Sequence, residues 1–194
     1  MIKSIRKLLL MDEHVCPSGF YPTLDVGFRK HFHNHDKIFS PYVKPGYMVA
    51  DVGCGPGYFS VGLAGIVGET GNVTACDIQE EGLERLKNKI LGTPIHKIIS
   101  IQKATNETIG LDGKYDFILN FWMLHEVNNK EQFVTQIKAA MKPESLYMLV
   151  EPRFHVVSKA FKQEVEIAIN AGLKPVDYPK IWMSRSVVFK NPRE

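Results

Sequence analysis

From residue 47 onward the chain alternates short apolar runs with longer amphipathic stretches. Residues 47–51 are an apolar run that ends in Asp51 and a cluster of glycines, the pattern of a buried strand. Residues 58–67 follow as a helix. Residues 72–76 read as a second strand closed by Asp77. Over 80–91, Leu83, Leu86 and Ile90 recur at helical spacing among charges, and Gly92 and Pro94 stop the helix. Strands are predicted at 97–103, 116–120 and 146–150. Helices are predicted at 130–141, ended by Pro143, and at 156–171, followed by Gly172. Two last strand-like runs, 173–180 and 186–190, have too short a gap for a crossover, so they form an antiparallel hairpin. The expected fold class is α/β: a single doubly wound, mostly parallel sheet of seven strands with an antiparallel C-terminal strand and helices on both faces.

The first 45 residues break this rhythm. They hold four of the seven histidines and little strand character. The chain therefore divides into an N-terminal helical lid, residues 1–45, and a ligand-binding domain, residues 46–194. A basic start followed by apolar Leu8 to Met11 resembles a secretion signal, but Asp12 follows at once, too early for an apolar core of that kind. No run approaches the about 20 apolar residues of a membrane span. Length fits one domain, and a net charge of +3 with scattered Lys and Arg gives no basic stripe for nucleic acid. A small-molecule substrate is the expectation, with no nucleic-acid or membrane partner. Cys16, Cys54 and Cys76 are odd in number and widely spaced, which argues for free thiols and a reducing, cytoplasmic setting.

The chemistry concentrates in residues 51–57, Asp-Val-Gly-Cys-Gly-Pro-Gly, where a strand enters a glycine turn and then a helix. Glycines there admit positive φ and let a ligand lie against bare backbone, and the following helix start offers free N–H groups. The spacing is G-x-G-x-G. The dinucleotide pattern G-x-G-x-x-G would need glycine where Tyr58 stands, and the Gly-Lys-Ser/Thr of a phosphate loop is absent. Asp51 ahead of the glycines repels a pyrophosphate and attracts a cation. S-adenosylmethionine (SAM), with its sulfonium and ammonium, suits that charge better than NAD. Asp77, at the end of the second strand, is placed to accept hydrogen bonds from both hydroxyls of an adenosine ribose; its alternative is a solvated strand-end acid.

Residues 51–57 resemble motif I of the class I SAM-dependent methyltransferases, and Asp77 matches the acidic residue of their second strand. Residues 116–125 resemble their fourth-strand motif, residues 141–151 their segment before the fifth strand, and the terminal hairpin their antiparallel seventh strand. The resemblance covers roughly residues 40–190 and is similar in style to the branch that includes quinone-biosynthesis and arsenite methyltransferases. It implies SAM as cofactor, held by Asp51, Gly53, Gly55, Gly57, Asp77, Ile78, Thr105, Asn106 and Asn120. Thr105 and Asn106 stand where the family often has Asp for the adenine amine, and Glu144-Ser145 replaces a Gly-Gly turn. Arsenite methylation needs several positioned cysteines, which this chain lacks.

Methyl transfer is an in-line displacement, so the protein chiefly aligns a nucleophile and excludes water. The acceptor is expected at the C-terminal ends of the strands. His125 is the candidate general base, its ordinary pKa suiting neutral pH; its alternative is a packed helix-start residue beside Trp122. Cys16, Tyr21, Trp122, Glu151 and Arg153 are the candidate substrate-pocket residues, Arg153 for an anionic substituent. Glu126 reads as a helix N-terminal charge. His31, His33 and His35 alternate, but no acidic or thiol partner supports a metal, and none is expected. Two readings compete with small-molecule methyl transfer: a SAM-binding protein without transferase activity, and an NAD-linked oxidoreductase.

Overall fold

The computed structural model describes residues 32–193. Helix α1 (His35–Phe39) is followed by β1 (Met48–Val52), α2 (Tyr58–Val67), β2 (Asn72–Asp77) and α3 (Glu80–Ile90). Then come β3 (Ile99–Lys103), β4 (Tyr115–Phe121), α4 (Lys130–Ala140), β5 (Met141–Pro152), α5 (Ser158–Asn170), β6 (Lys174–Asp177) and β7 (Ser184–Lys190). The seven strands form one sheet in the order β3-β2-β1-β4-β5-β7-β6. Strands β3, β2, β1, β4 and β5 run parallel, and β7 lies antiparallel to both β5 and β6.

Side chains alternate across the pleat, so each central strand feeds two cores. Val49, Phe117, Leu119, Met148 and Val150 pack under α1, α2 and α3 with Phe39, Leu63, Leu83, Leu86 and Ile90. Ala50, Ile118, Tyr147 and Leu149 pack under α4 and α5 with Phe133, Val134, Ile137, Phe161 and Ala168. The amphipathic spacing seen in α3 is the one that buries Leu83, Leu86 and Ile90.

Three boundaries differ from expectation. A 3-10 turn, Pro94–Lys97, occupies the start of the expected third strand, because Pro94 fixes a turn-compatible φ. Helix α4 ends at Ala140, and β5 already begins at Met141, opposite Tyr115. Pro143, which lacks an N–H, is tolerated because the ladder shifts register between Tyr115 and Phe117 on the facing strand. In that irregularity Glu144 takes a left-handed φ of 67°, and its carboxylate is held by Lys190 Nζ at 2.5 Å and the Arg193 amide at 3.2 Å. The first run of the terminal hairpin shortens to four exposed residues at the sheet edge, with Pro175 inside it. Among the described residues no helix is long and apolar enough to cross a membrane. Most of the expected lid, with Cys16, Tyr21 and His31, lies outside the described residues.

Candidate functional site

The C-terminal ends of β1, β2, β4 and β5 converge on the glycine turn. Gly53 and Cys54 donate their amides to Cys76 O at 2.8 and 3.1 Å, which pins the turn to the neighbouring strand. Gly53 has φ +77°, and a Cβ there would meet Met123 Cγ at 2.7 Å. Gly55 N donates to Asp77 Oδ2 at 2.8 Å, while Gln79 N donates to Asp77 Oδ1 at 2.8 Å. Lys89 Nζ reaches back from α3 to Pro56 O at 2.7 Å. The turn is therefore braced on both sides by groups far away in sequence.

Asp77 is largely buried, and that burial raises its carboxyl above the usual range, although the Gln79, Gly55 and Ile78 amides pull it back down. Ile78 beside it is exposed, an apolar face next to a carboxylate. Asp51 does not line the turn openly: it is buried and accepts a 2.6 Å hydrogen bond from Ser60 Oγ of α2. Its charge acts from beneath. Cys54 and Cys76 are buried and free, and burial, with Asp51 and Asp77 nearby, pushes both thiols up. Such thiols are unreactive.

Asn120, at the end of β4, is fully buried. Its Nδ2 donates to Val52 O at 3.0 Å, and its Oδ1 has no protein partner. A buried acceptor left open beside the turn suits a donor on a ligand. Thr105 lies past β3 and spends its hydroxyl locally, accepting from the Glu107 and Thr108 amides and donating to Glu107. Asn106 is exposed in the same loop.

A second cluster lies past β4 and β5. Trp122 adopts φ 61°, strained for a bulky residue. Its amide donates to Val150 O at 2.7 Å and its indole N–H to Ser184 Oγ at 3.0 Å. The indole meets His33 edge-on at 5.1 Å and Phe154 at 5.5 Å. His33 is buried among Phe59, Phe121, Trp122 and Trp182, with Nε2 at 3.0 Å from Trp182 O. The alternating histidines thus part company: His33 enters an aromatic cage, while His35 packs against Tyr58. Among the described residues no group of three or more His, Cys, Asp or Glu is placed to hold a metal.

His125 sits in a 3-10 turn, Leu124–Glu126, and not at the start of an α-helix, so Glu126 belongs to that turn as well. The fully buried Glu151 receives His125 N at 3.2 Å on one oxygen and His125 Nδ1 at 2.6 Å on the other. His155 stacks on the ring at 5.9 Å between centroids. Burial opposes a charged imidazole, but the hydrogen bond and charge of Glu151, with Glu126 and Glu164 behind it, outweigh that and hold His125 above its ordinary pKa. Burial and the His125 charge push His155 down. Arg153 is exposed, its amide tied to Met183 O at 2.9 Å.

Sequence reasoning missed Lys89, Glu164 and Lys130. Glu164 had a signal: it shares the buried face of α5 with Phe161 and Ala168, an acid on an apolar stripe. Lys130 pairs with it at 2.5 Å.

Residues 49–144 match a family described as a methyltransferase domain. The demethylmenaquinone methyltransferase of Desulfitobacterium hafniense is 26% identical over 168 residues, 86% of this chain and 63% of that protein. The ubiquinone/menaquinone biosynthesis C-methyltransferase UbiE of Shewanella pealeana is 27% identical over 128 residues, 64% of this chain and 51% of that one. The chain thus spans between half and two thirds of the length of these relatives. A SAM-dependent methyltransferase from Aquifex aeolicus superposes with a TM-score of 0.80 at 25% identity, covering 91% of this chain and all of that one.

Proposed function

We propose that the chain is a class I SAM-dependent methyltransferase and that it methylates a small aromatic acceptor bearing a hydroxyl group, with His125 as general base. The observation that carries this reading is the two-point hold of Glu151 on His125. With Nδ1–H given to the carboxylate, the neutral ring presents Nε2 as its basic nitrogen. Glu151 fixes the ring's orientation and offsets the positive charge that forms when Nε2 takes a proton.

The turn fits SAM. Asp77 offers acceptor lone pairs for ribose hydroxyls, exposed Ile78 an apolar face for adenine, and Asn120 Oδ1 an open acceptor for the ammonium. Gly53, Gly55 and Gly57 all take positive φ, and at Gly53 and Gly57 a side chain would strike Met123 and Leu86, so the glycines let the turn close against the protein, while Asp51 places negative charge beneath the sulfonium side. With the Thr105 hydroxyl spent on its turn, the adenine edge falls to Asn106 and to backbone groups. Bound there, SAM supplies a methyl carbon made electrophilic by the adjacent sulfonium. The NAD-linked reading finds no support, since Tyr58 stands where its third glycine belongs.

The hydroxylated ring is inferred from a base with a proton to remove and from relatives named for quinone substrates. Trp122 and Phe154 give an aromatic wall beside the base, and exposed Arg153 suits an anionic substituent. Cys16 and Tyr21 remain pocket candidates from the N-terminal segment.

The test uses methyl-labelled SAM and reduced 2-prenyl-1,4-naphthoquinone as acceptor, with mass detection of the methylated product. Turnover is expected, and His125→Gln should lower kcat by about 10²- to 10⁴-fold with SAM affinity unchanged. Full turnover in His125→Gln overturns the assignment of the base. No labelled product from this quinol or from simple phenols overturns the acceptor class.

A further inference from the structure

Behind His125 and Glu151 lies a seam of polar groups, Tyr147, Glu164 and Lys130, that methyl transfer as described above does not use. Tyr147 and Glu151 project from the same face of β5, four residues apart. Glu164 approaches from α5 and is 2% exposed. Lys130, at the start of α4, binds Glu164 Oε1 at 2.5 Å, and both line a surface groove of about 580 Å³ between α4 and α5. The other carboxylate oxygen, Glu164 Oε2, and the Tyr147 hydroxyl are both buried with no protein partner. Two orphaned polar atoms in one apolar core mark a place where a proton or a small polar molecule belongs.

The charges can be counted from every element that faces His125. Glu151 comes from β5, Glu126 from its own turn, Glu164 from α5, His155 from the β5–α5 connection, and Lys130 stands behind Glu164. Glu126 is 22% exposed at its side chain, so solvent screens it more than the two buried acids, Glu151 and Glu164. With both buried acids ionised, Lys130 charged and His125 neutral, Glu151 and Glu164 have one lysine between them and carry one uncompensated negative charge. That is costly in an apolar core. A single proton removes the imbalance, and it has two seats: the His125 ring or the Glu164 carboxyl.

We propose that His125 and Glu164 share one proton, so that Glu164 is a positioning residue that lets the base take up a substrate proton without changing the charge of the core. When Nε2 of His125 accepts the proton of the acceptor hydroxyl, Glu164 releases its own proton to solvent in the α4–α5 groove. The O–H bond broken on the acceptor is matched by an N–H bond formed on His125, and the O–H bond broken on Glu164 by a proton delivered to water. Burial raises Glu164 above the usual carboxylate range while Lys130 partly opposes it, as a seat that exchanges its proton requires. This inference rests on the reading of His125 as base for its catalytic meaning, but the shared proton itself does not.

The experiment is an NMR titration of the full chain, following the His125 ring nitrogens and the Glu164 carboxyl carbon. Coupled sites titrate with macroscopic values that belong to the pair, and the coupling is reciprocal. Glu164→Gln should weaken the proton affinity of His125 threefold or more. His125→Gln should shift the titration of Glu164 by the same factor in the opposite sense. Tyr147→Phe, which deletes only the orphaned hydroxyl, should shift His125 by less and leave the fold intact. Glu164→Asp should restore part of the His125 shift. An unchanged His125 titration in a folded Glu164→Gln protein overturns the proposal, as does unequal reciprocity. Should His125→Gln keep full turnover on the reduced naphthoquinone, the base falls while the titrations still decide the shared proton.

Discussion

Gly57→Ala is the sharpest probe of how the cofactor turn is built. Gly57 precedes α2 with φ +77°, in the left-handed region. An L-residue there costs about 1–2 kcal/mol. The added Cβ would also stand 2.3 Å from Leu86 Cδ1 and 3.0 Å from Leu86 Cγ. Leu86 is fully buried, so it has no free space to swing into, and overpacking of this kind costs about 1–3 kcal/mol. Together the variant should lose about 2–5 kcal/mol. For a chain of this length that is a fall in Tm of about 4–20 °C, at about 2–4 °C per kcal/mol. Gly65→Ala is the matched control. It lies in α2, a Cβ there meets nothing within 4 Å, and alanine in a helix interior gains about 0.5–1 kcal/mol. Scanning calorimetry without ligand should therefore move the two variants in opposite directions. A Gly57→Ala protein that melts within about 1 °C of the parent would refute the claim that the turn is packed against α3.

Other expectations follow from the same contacts. Asp77→Asn loses a charged acceptor and should weaken SAM binding by about 1.5–3 kcal/mol, read by calorimetry. The burial-raised carboxyl of Asp77 means the parent gains stability as pH falls through the folded-state value, so its Tm advantage over Asp77→Asn should widen on acidification. For His125 the sign is the same, with Glu151 as its chief source: its raised folded value adds stability that is fully present below its unfolded value and fades as pH rises through the folded one. Glu151→Gln should erase that dependence, so the gap between parent and variant in thermal melts should narrow from acidic to alkaline pH. Lys89→Met removes the cation bound to Pro56 O and should weaken SAM binding by about threefold to tenfold, a partly exposed charged hydrogen bond being worth about 1 kcal/mol; unchanged affinity would show that the turn holds its shape alone.

Much of the fold was legible because its signals are local. Strands β1 and β4 are buried on both faces, so residues 49–52 and 117–121 read as apolar runs interrupted only by Asp51 and Asn120, two of the candidate cofactor residues. The glycines and Asp77 announce themselves because turn chemistry and strand ends are short-range. Pro143 misled, since it forbids helix but does not forbid a strand whose ladder shifts beside it. The ionic seam was out of reach for a different reason. Lys130 and Glu164 are 34 residues apart, and their meeting depends on how two helices pack on the same face of the sheet. His33 resembled a ligand in an alternating triplet, but its surroundings come from Phe59, Phe121, Trp122 and Trp182, four residues on three separate stretches of chain.

The placing of tryptophan has a practical consequence. The chain holds only two, Trp122 and Trp182, and both abut the imidazole of His33, at 5.1 and 6.2 Å between ring centroids. Nearly all intrinsic emission excited at long ultraviolet wavelength therefore originates at one mouth of the molecule. Quenching or a spectral shift on adding a ring-bearing compound reports occupancy there directly, with no label and no turnover, and makes the unmodified protein its own screening reagent.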